Sequence, residues 1–326
     1  MMKTIVSLGE MLIDFVPETN GQGLEDVASF KKAPGGAPAN VAAAVARLGG
    51  TARFLGKVGA DPFGDFLIRT LSDAGVDTTH VLRTNEAKTG LAFVSLKEDG
   101  ERDFLFYREP SADMLLTEAD IAADACREAA VFHFGSISLI AEPARSATVK
   151  AARLAREAGV LVSYDPNLRL PLWPGGEEEA RAIIRKYVPL ADIVKVSEEE
   201  LLFLTGESDV STGAAWFFAQ GVQLLVVTLG REGCAYVRPR GPVQHAASFV
   251  VSAVDATGAG DGFVGGLLYR FAEAGVTRKT LPLLADAALL ENIRFANAVG
   301  ALTTTKRGAI SALPSLAEVQ AFLLQS

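Results

Sequence analysis

Short apolar runs alternate with amphipathic stretches along the chain, and each change of period marks an element. Ile5–Leu8 reads as a first strand. Past Asn40, Val41, Val45 and Leu48 recur at helical spacing, and Gly49 and Gly50 end that helix. Asp61 and Pro62 have the chemistry of an N-cap and first helical residue. Phe63, Phe66, Leu67 and Leu71 then share one face, and Gly75 stops the helix. The pattern predicts a helix over 144–158, closed by Gly159, and a strand over 160–164. The second half repeats this rhythm. A strand over 192–196 runs into a capping box, Ser197 with Glu200. Leu224–Thr228 has the unbroken apolar character of a strand buried on both faces, and Cys234–Val237 reads as another strand. An apolar, strand-like run over 249–254 precedes helices over 262–274 and 283–302, and Ser315 with Glu318 caps a last one. Strands alternating with helices predict one α/β domain over residues 1–326, with a central, mainly parallel sheet covered on both faces.

Two segments break the rhythm. Residues 15–32 carry no helical pattern. Residues 91–108 alternate, with Phe93, Ser95 and Lys97, then Phe104 and Phe106, about the turn Glu98-Asp99-Gly100. Both predict β structure outside the main sheet, a small lid built from segments at about 15–34 and 88–110.

Charge narrows the class. A formal net charge of −8 gives no bulk attraction to nucleic acid or to anionic membranes. No stretch is long and apolar enough to span a bilayer, and the run near the start is interrupted by Glu10 and Asp14, unlike a signal-peptide core. Cys126 and Cys234 lack metal-type spacing and are expected to be reduced thiols; His80, His133 and His245 have no partner spacing. A cytoplasmic enzyme or binding protein is the expectation.

The chemistry concentrates in two small-residue segments. Asp255-Ala256-Thr257-Gly258-Ala259-Gly260-Asp261-Gly262-Phe263 opens an apolar helix. The N–H groups of Gly258, Ala259 and Gly260 would lie at a helix N-terminus, which favours an anion. Asp261 beside them would repel a phosphate but could take a proton from an attacking hydroxyl, the logic of phosphoryl transfer. The plainer reading is a glycine-rich helix entry with a first-turn acid. Pro34-Gly35-Gly36-Ala37-Pro38-Ala39-Asn40 also precedes a helix. Its glycines could bring backbone against a polar ligand, and Asn40 offers both donor and acceptor; the plainer reading is a double glycine with an Asn N-cap. No GxxxxGK[ST] loop is present.

Together the two segments resemble the two signatures of the ribokinase-like, or PfkB-type, carbohydrate kinases. The resemblance spans essentially the whole chain. Residues 9–14 are similar to that family's sugar-contact strand end, Asp165-Pro166-Asn167-Leu168-Arg169 to its mid-chain loop, and 227–233 to its nucleotide loop. Within the family the chain is most similar to fructokinases, through Phe104-Leu105-Phe106-Tyr107-Arg108 followed by Pro110-Ser111-Ala112-Asp113-Met114-Leu115-Leu116, through 168–174, and through 192–200.

The resemblance implies roles. Asp14, Gly35, Gly36 and Asn40 would hold sugar hydroxyls, with Phe106 and Arg108 coming down from the lid. Gly258, Ala259 and Gly260 would form the anion hole, Arg169 would neutralise charge at the transferred phosphate, and Asp261 would be the base. Lys195, Thr228, Gly230 and Gly233 would line the ATP site, with Asn297 near the adenine. Asp255 and the backbone of Thr257 would hold a monovalent cation, K+, with carbonyls of Thr304, Arg307 and Ala309. The family's N-x-x-E motif falls here on Lys195 and Glu198, so the Asn is missing; Glu198 would act on Mg2+ through water, or be only a helix-start acid. Ala256 stands where the family commonly has Thr. The implied reaction is Mg-ATP with D-fructose. A 2-keto-3-deoxygluconate kinase, for which Arg108 and Arg169 would supply carboxylate contacts, is the neighbouring alternative, and a non-catalytic sugar sensor the distant one. Phe93, Phe104 and Phe106 are too apolar for a flap wholly in water, so they are expected to be buried against sugar or a second subunit, giving a homodimer.

Overall fold

The computed structural model describes residues 4–19, 21–96 and 102–325. The chain runs β1 (Ile5–Leu8), β2 (Leu12–Pro17), β3 (Phe30–Gly35), α1 (Ala37–Arg47), β4 (Ala52–Gly59), α2 (Pro62–Asp73), β5 (Asp77–Thr84), β6 (Gly90–Leu96), β7 (Arg102–Tyr107), α3 (Ala123–Arg127), β8 (Val131–Gly135) and α4 (Ala144–Glu157). It continues with β9 (Leu161–Asp165), α5 (Gly176–Tyr187), β10 (Ile193–Ser197), α6 (Glu198–Thr205), α7 (Val210–Ala219), β11 (Leu224–Thr228), β12 (Cys234–Val237), β13 (Gln244–Ala246), α8 (Ala259–Glu273), α9 (Asp286–Thr303) and α10 (Leu316–Leu323).

The main sheet has the order β13-β12-β11-β10-β9-β8-β1-β4-β5. From β5 to β11 every neighbouring pair is parallel; only β12 and β13 are antiparallel additions at one edge. Alternate side chains of β1 separate the core. Ile5 faces the layer holding Phe263, Leu267 and Phe271 of α8, whereas Val6 and Leu8 face Phe132, Phe134 and Tyr164. The capping boxes at Ser197 and Ser315 both form, and the Asp61 carboxylate accepts from the Phe63 and Gly64 N–H groups. The apolar run over 249–254 forms no strand. It lacks the alternation or partner that a ladder needs, and its Val250 and Val254 lie exposed.

A second sheet, ordered β3-β2-β6-β7, stands beside the first. Asp14 is in register with Ala33 and Ala92, and Ala92 with Phe106, so Asp14 and Phe106 share one face. Phe15 and Phe93 share the other, where their rings stack at 4.7 Å. Phe30 and Tyr107 meet Phe93 edge-on, and Phe63 of α2 meets Phe15 in the same way. Phe93 therefore has apolar cover from its own chain, which removes one ground for expecting a partner or sugar to bury it. The turn at Glu98-Asp99-Gly100 and the Phe104 side chain lie outside the described residues. No helix among the described residues is long and apolar enough to cross a membrane.

Candidate active site

The order of the main sheet reverses between β1 and β8, and a crevice opens where the C-terminal ends of parallel strands diverge on either side of such a point. Two helix N-termini meet there. α1 is tied to β1 by the Ser7 hydroxyl, which donates to the Pro38 carbonyl at 2.7 Å. α8 packs against α1 so closely that a side chain at Gly265 would collide with Ala44. This packing brings the two signature segments together. The Asn40 amide donates to Oδ2 of Asp261 at 2.7 Å. Asn40 lies within α1, whose N-cap is Gly36, so the reading of Asn40 as an N-cap does not hold.

The entry to α8 is a turn that Gly258 makes with φ of 75°. A side chain there would press on Ala309 at 2.8 Å, so the turn and the 304–309 loop are fitted to each other. Ala259, Gly260 and Asp261 form the first turn of the 15-residue helix, at the positive end of its dipole. Lys195 reaches the same place: its Nζ comes within 3.4 Å of where a Gly260 Cβ would stand. Burial pushes the Asp261 carboxyl up to about 6; the Asn40 hydrogen bond, Lys195 and Arg169 pull the other way, and Asp165 adds to the rise.

Opposite α8 lies the second sheet. Gly35 leaves just enough room for Asp14, whose carboxylate a side chain at 35 would overlap. Burial also pushes Asp14 up to about 6, with Arg169 lowering it and Asp261 raising it. Asp14 thus sits against Gly35, feels the charge of Asp261, which Asn40 holds, and has Phe106 on its own sheet face. Arg108 does not hang free. It is buried directly after β7, and its guanidinium pairs with the equally buried Asp113. Arg169 is exposed and donates to the Leu168 carbonyl at 2.9 Å. Asp165, at the start of the same loop, pairs with Lys195 at 3.1 Å.

Lys195 is the centre of a charged cluster that local sequence pattern did not disclose. Asp165 and the buried Glu200 both favour its cationic form, which overcomes the cost of burial and raises its pKa. Glu200 also accepts from the Leu168 N–H at 2.7 Å and the Ser197 N–H at 2.8 Å, so one carboxylate braces the Arg169 loop and the start of α6. Beneath Lys195, burial holds His133 neutral, its pKa down to about 3, with Nδ1 3.1 Å from the Ser163 hydroxyl.

Beyond this cluster a pocket of about 510 Å³ is lined by Ser197, Glu198, Glu199, Thr228, Leu229, Gly230, Arg231 and Glu232. Gly233 lies just past it and lets the backbone of 246–248 approach β12. Asn297, expected near the adenine, lies on α9 against the segment after β13. It is buried, and its amide donates to the carbonyls of Ala246 and Ala247 at 3.0 and 3.2 Å, so it fixes the exit of β13. Asp255 accepts from the Thr257 N–H and hydroxyl and, through its other oxygen, from the Gly308 N–H at 2.9 Å. The segments expected to share a cation are therefore adjacent. The Thr304, Arg307 and Ala309 carbonyls each already accept a bond from within the chain. Among the described residues, no three His, Cys, Asp or Glu side chains converge as a metal cluster.

The family of pfkB carbohydrate kinases matches residues 2–316. The chain belongs to that family. Kinases named as fructokinases recur among its relatives. Fructokinase-1 of Zea mays is 54% identical over 318 residues, covering 97% of this chain and 96% of that protein. Two solved pfkB-type structures share the fold. Fructokinase with bound ATP from Xylella fastidiosa superposes with a TM-score of 0.92 at 40% identity, covering 100% of this chain and 99% of that one. Fructokinase from Vibrio cholerae O395 in its fructose-, ADP- and calcium-bound form gives 0.86 at 40% identity, covering 99% of each chain. This chain is a sugar kinase.

Proposed function

We propose that this kinase transfers the γ-phosphoryl group of ATP to the primary hydroxyl of D-fructose, giving fructose 6-phosphate and ADP. The observation that carries the reading is the Asn40–Asp261 bond at the mouth of α8, which sets a carboxylate between the crevice bordered by Asp14 and a helix N-terminus. The fructose crevice lies between the two sheets; the ATP phosphates run from the 197–199 and 228–232 pocket toward Gly258, Ala259 and Gly260. Asp261 takes the hydroxyl proton as the new P–O bond forms. The first-turn amides of α8, with Lys195 and Arg169, receive the charge that builds on the phosphoryl oxygens. The second sheet acts as a lid, excluding water that would otherwise compete for the phosphoryl group.

Mg2+, when bound, would offset the charge of the ATP phosphates, with Glu198 and Glu199 as its carboxylates on this chain. The residues present suit it: a hydrated Mg2+ asks for one or two carboxylates besides phosphate, and Glu198 and Glu199 line the pocket. Asp255, Thr257 and the 304–309 carbonyls would hold K+ against the back of the anion hole.

The neighbouring alternative is a keto-acid sugar, whose carboxylate asks for free cations. Arg108 is already neutralised by Asp113, which leaves Arg169 alone. The test is one ADP-release assay across fructose, ribose, glucose, adenosine and 2-keto-3-deoxygluconate, run in K+ and in Na+. Fructose should give the highest kcat/KM, with kcat higher in K+. A keto acid ahead by tenfold, about 1.4 kcal/mol, reverses the assignment; equal rates in both salts remove the cation.

Two further readings go with this one. A homodimer would cover Leu105 and Tyr107, which stand 47% and 59% exposed near the end of β7; a monomer in sedimentation at micromolar concentration would defeat it. A cytoplasmic location suits Cys126 and Cys234, both buried and unpaired, with burial pushing the thiols up to about 11 and 12; recovery of the enzyme in a secreted fraction would defeat that.

A further inference from the structure

Four strands cross between the main body and the second sheet, and all four crossings meet at one buried cluster. β2 enters through Gly9, Glu10 and Met11. β3 leaves through Gly35 and Gly36. β6 enters at Gly90, and β7 leaves at Arg108. Glu10 is 1% exposed. Its Oε1 accepts from the Ala37 N–H at 3.1 Å, and its backbone carbonyl lies where a side chain on Gly36 would stand. At the β6 crossing, a Gly90 Cβ would sit 3.2 Å from Arg108 Cγ and 3.3 Å from Ser111. Arg108 is clamped by Asp113, and the Ser111 hydroxyl donates to the same carboxylate at 2.5 Å.

This cluster holds a matched pair of unused atoms. Glu10 Oε2 is a buried acceptor and Arg108 Nε a buried donor, and neither has a hydrogen-bond partner among the described residues. Each carries a charge that the other favours. Buried polar atoms rarely stay unpaired in the working form of a protein. One of these two sits on the strand exit that must move if the second sheet closes, and the other holds the loop that borders the sugar.

We propose that Glu10 is a positioning residue for the sugar, holding the Gly35–Gly36 loop through the Ala37 N–H and accepting the Arg108 Nε–H when the second sheet closes. This rests on the fructose reading above. Glu10 touches no reacting atom; it links closure of the sheet to the shape of the sugar loop. Burial pushes its carboxyl up to about 7, Asp113 adds to the rise, and Arg108 lowers it. These two are the charged groups that act on it. The ionised form makes the latch, so fructose binding should strengthen as pH rises through about 7.

The test uses the full-length enzyme. E10Q keeps the size and a carbonyl oxygen for Ala37 but loses the charge. Fructose KM at pH 8 should rise about tenfold, the loss of one charge-assisted hydrogen bond, with ATP KM unchanged. The weakening of fructose binding from pH 8 to pH 6 in the wild type should lose its inflection near 7. R108K keeps a cation without Nε and should show the same rise, and the double variant should be no worse than the worse single. A fructose KM in folded E10Q within twofold of wild type overturns the proposal, as do additive effects in the double variant. If E10Q fails to fold, R108K with an unchanged fructose KM overturns it. A wild type that does not phosphorylate fructose instead defeats the substrate reading, so the two failures are distinct.

Discussion

The side chains of Asn40 and Asp261, 221 residues apart, share a 2.7 Å hydrogen bond that joins the two glycine-rich helix entries into one site. Asn40 donates through its amide, and its own carbonyl oxygen is buried without a partner among the described residues. That leaves an acceptor for a sugar hydroxyl beside the carboxylate that would deprotonate another.

Asp261→Asn keeps the oxygen that accepts from Asn40 but cannot take a proton at neutral pH. General-base catalysis contributes roughly 10²- to 10⁴-fold, so kcat should fall by at least about 10²-fold. Nucleotide affinity should hold or improve, because a negative charge has been removed beside the phosphates. Steady-state rates with calorimetry on the same preparation check both halves. A variant with near-wild-type kcat would return this segment to a structural helix entry.

The same substitution should change how stability depends on pH. In the folded apo-enzyme Asp261 titrates at about 6 against an ordinary value of 3.8. The native state therefore holds its proton more tightly than the unfolded chain does, and stability drops as pH rises between those values. Above pH 6 the folded protein bears the full cost of an ionised buried acid, at most about 3 kcal/mol. Asp261→Asn should melt higher than wild type at pH 8, and the gap should close by pH 4. A gap that is constant with pH would show that the carboxyl is ordinary.

Lys195 should be needed for the fold as well as the chemistry. Removing one partner from a buried ion pair strands the other, at a typical cost of about 3–5 kcal/mol. Lys195→Met leaves both Asp165 and Glu200 without their cation. Denaturant titration should show a loss in that range, and kcat should fall because the phosphoryl charge meets one cation fewer. A loss of stability under about 1 kcal/mol would mean that the cluster relaxes freely.

Much of this architecture was readable in the chain because it is local. The periodicity of α2, the Asp61 cap and both capping boxes depend only on neighbours three or four residues away. The two signature segments were readable as helix entries for the same reason. What escaped was tertiary. Glu200 read only as the capping-box partner of Ser197, because nothing in its own turn reveals that Leu168 and Lys195 lie against it. Glu10 read as an interruption of an apolar run. Arg108 looked like a lid cation because its neutralising partner, Asp113, comes from the next segment after a change of direction. The partners of Asn297, two backbone carbonyls some 50 residues away, carry no sequence signal either. Phe93 gave the right polarity for the second sheet but not its cover, which α2 and three other aromatics supply.

Gly36 offers the sharpest separation of fold from site. Its φ of 116° lies where side chains are strained, and an added Cβ would overlap the Glu10 carbonyl oxygen and come within 3.2 Å of Met11 Cα. Both obstacles are backbone, so neither can swing aside; the start of α1 must shift, carrying Ala37 and Asn40 with it. Gly49, at the other end of the same helix, has φ of 83° with nothing within 4 Å of its missing Cβ. Gly49→Ala should therefore cost only the strain of a left-handed residue, about 1–2 kcal/mol, and leave fructose KM unchanged. Gly36→Ala should add to that strain a loss of sugar affinity of about tenfold or more, since a small misplacement of a positioning group is enough for such losses. Measuring Tm and fructose KM for both variants separates the two effects. If Gly36→Ala lowers Tm as Gly49→Ala does and leaves fructose KM intact, the glycine is there for the turn alone, and the loop does not shape the sugar crevice.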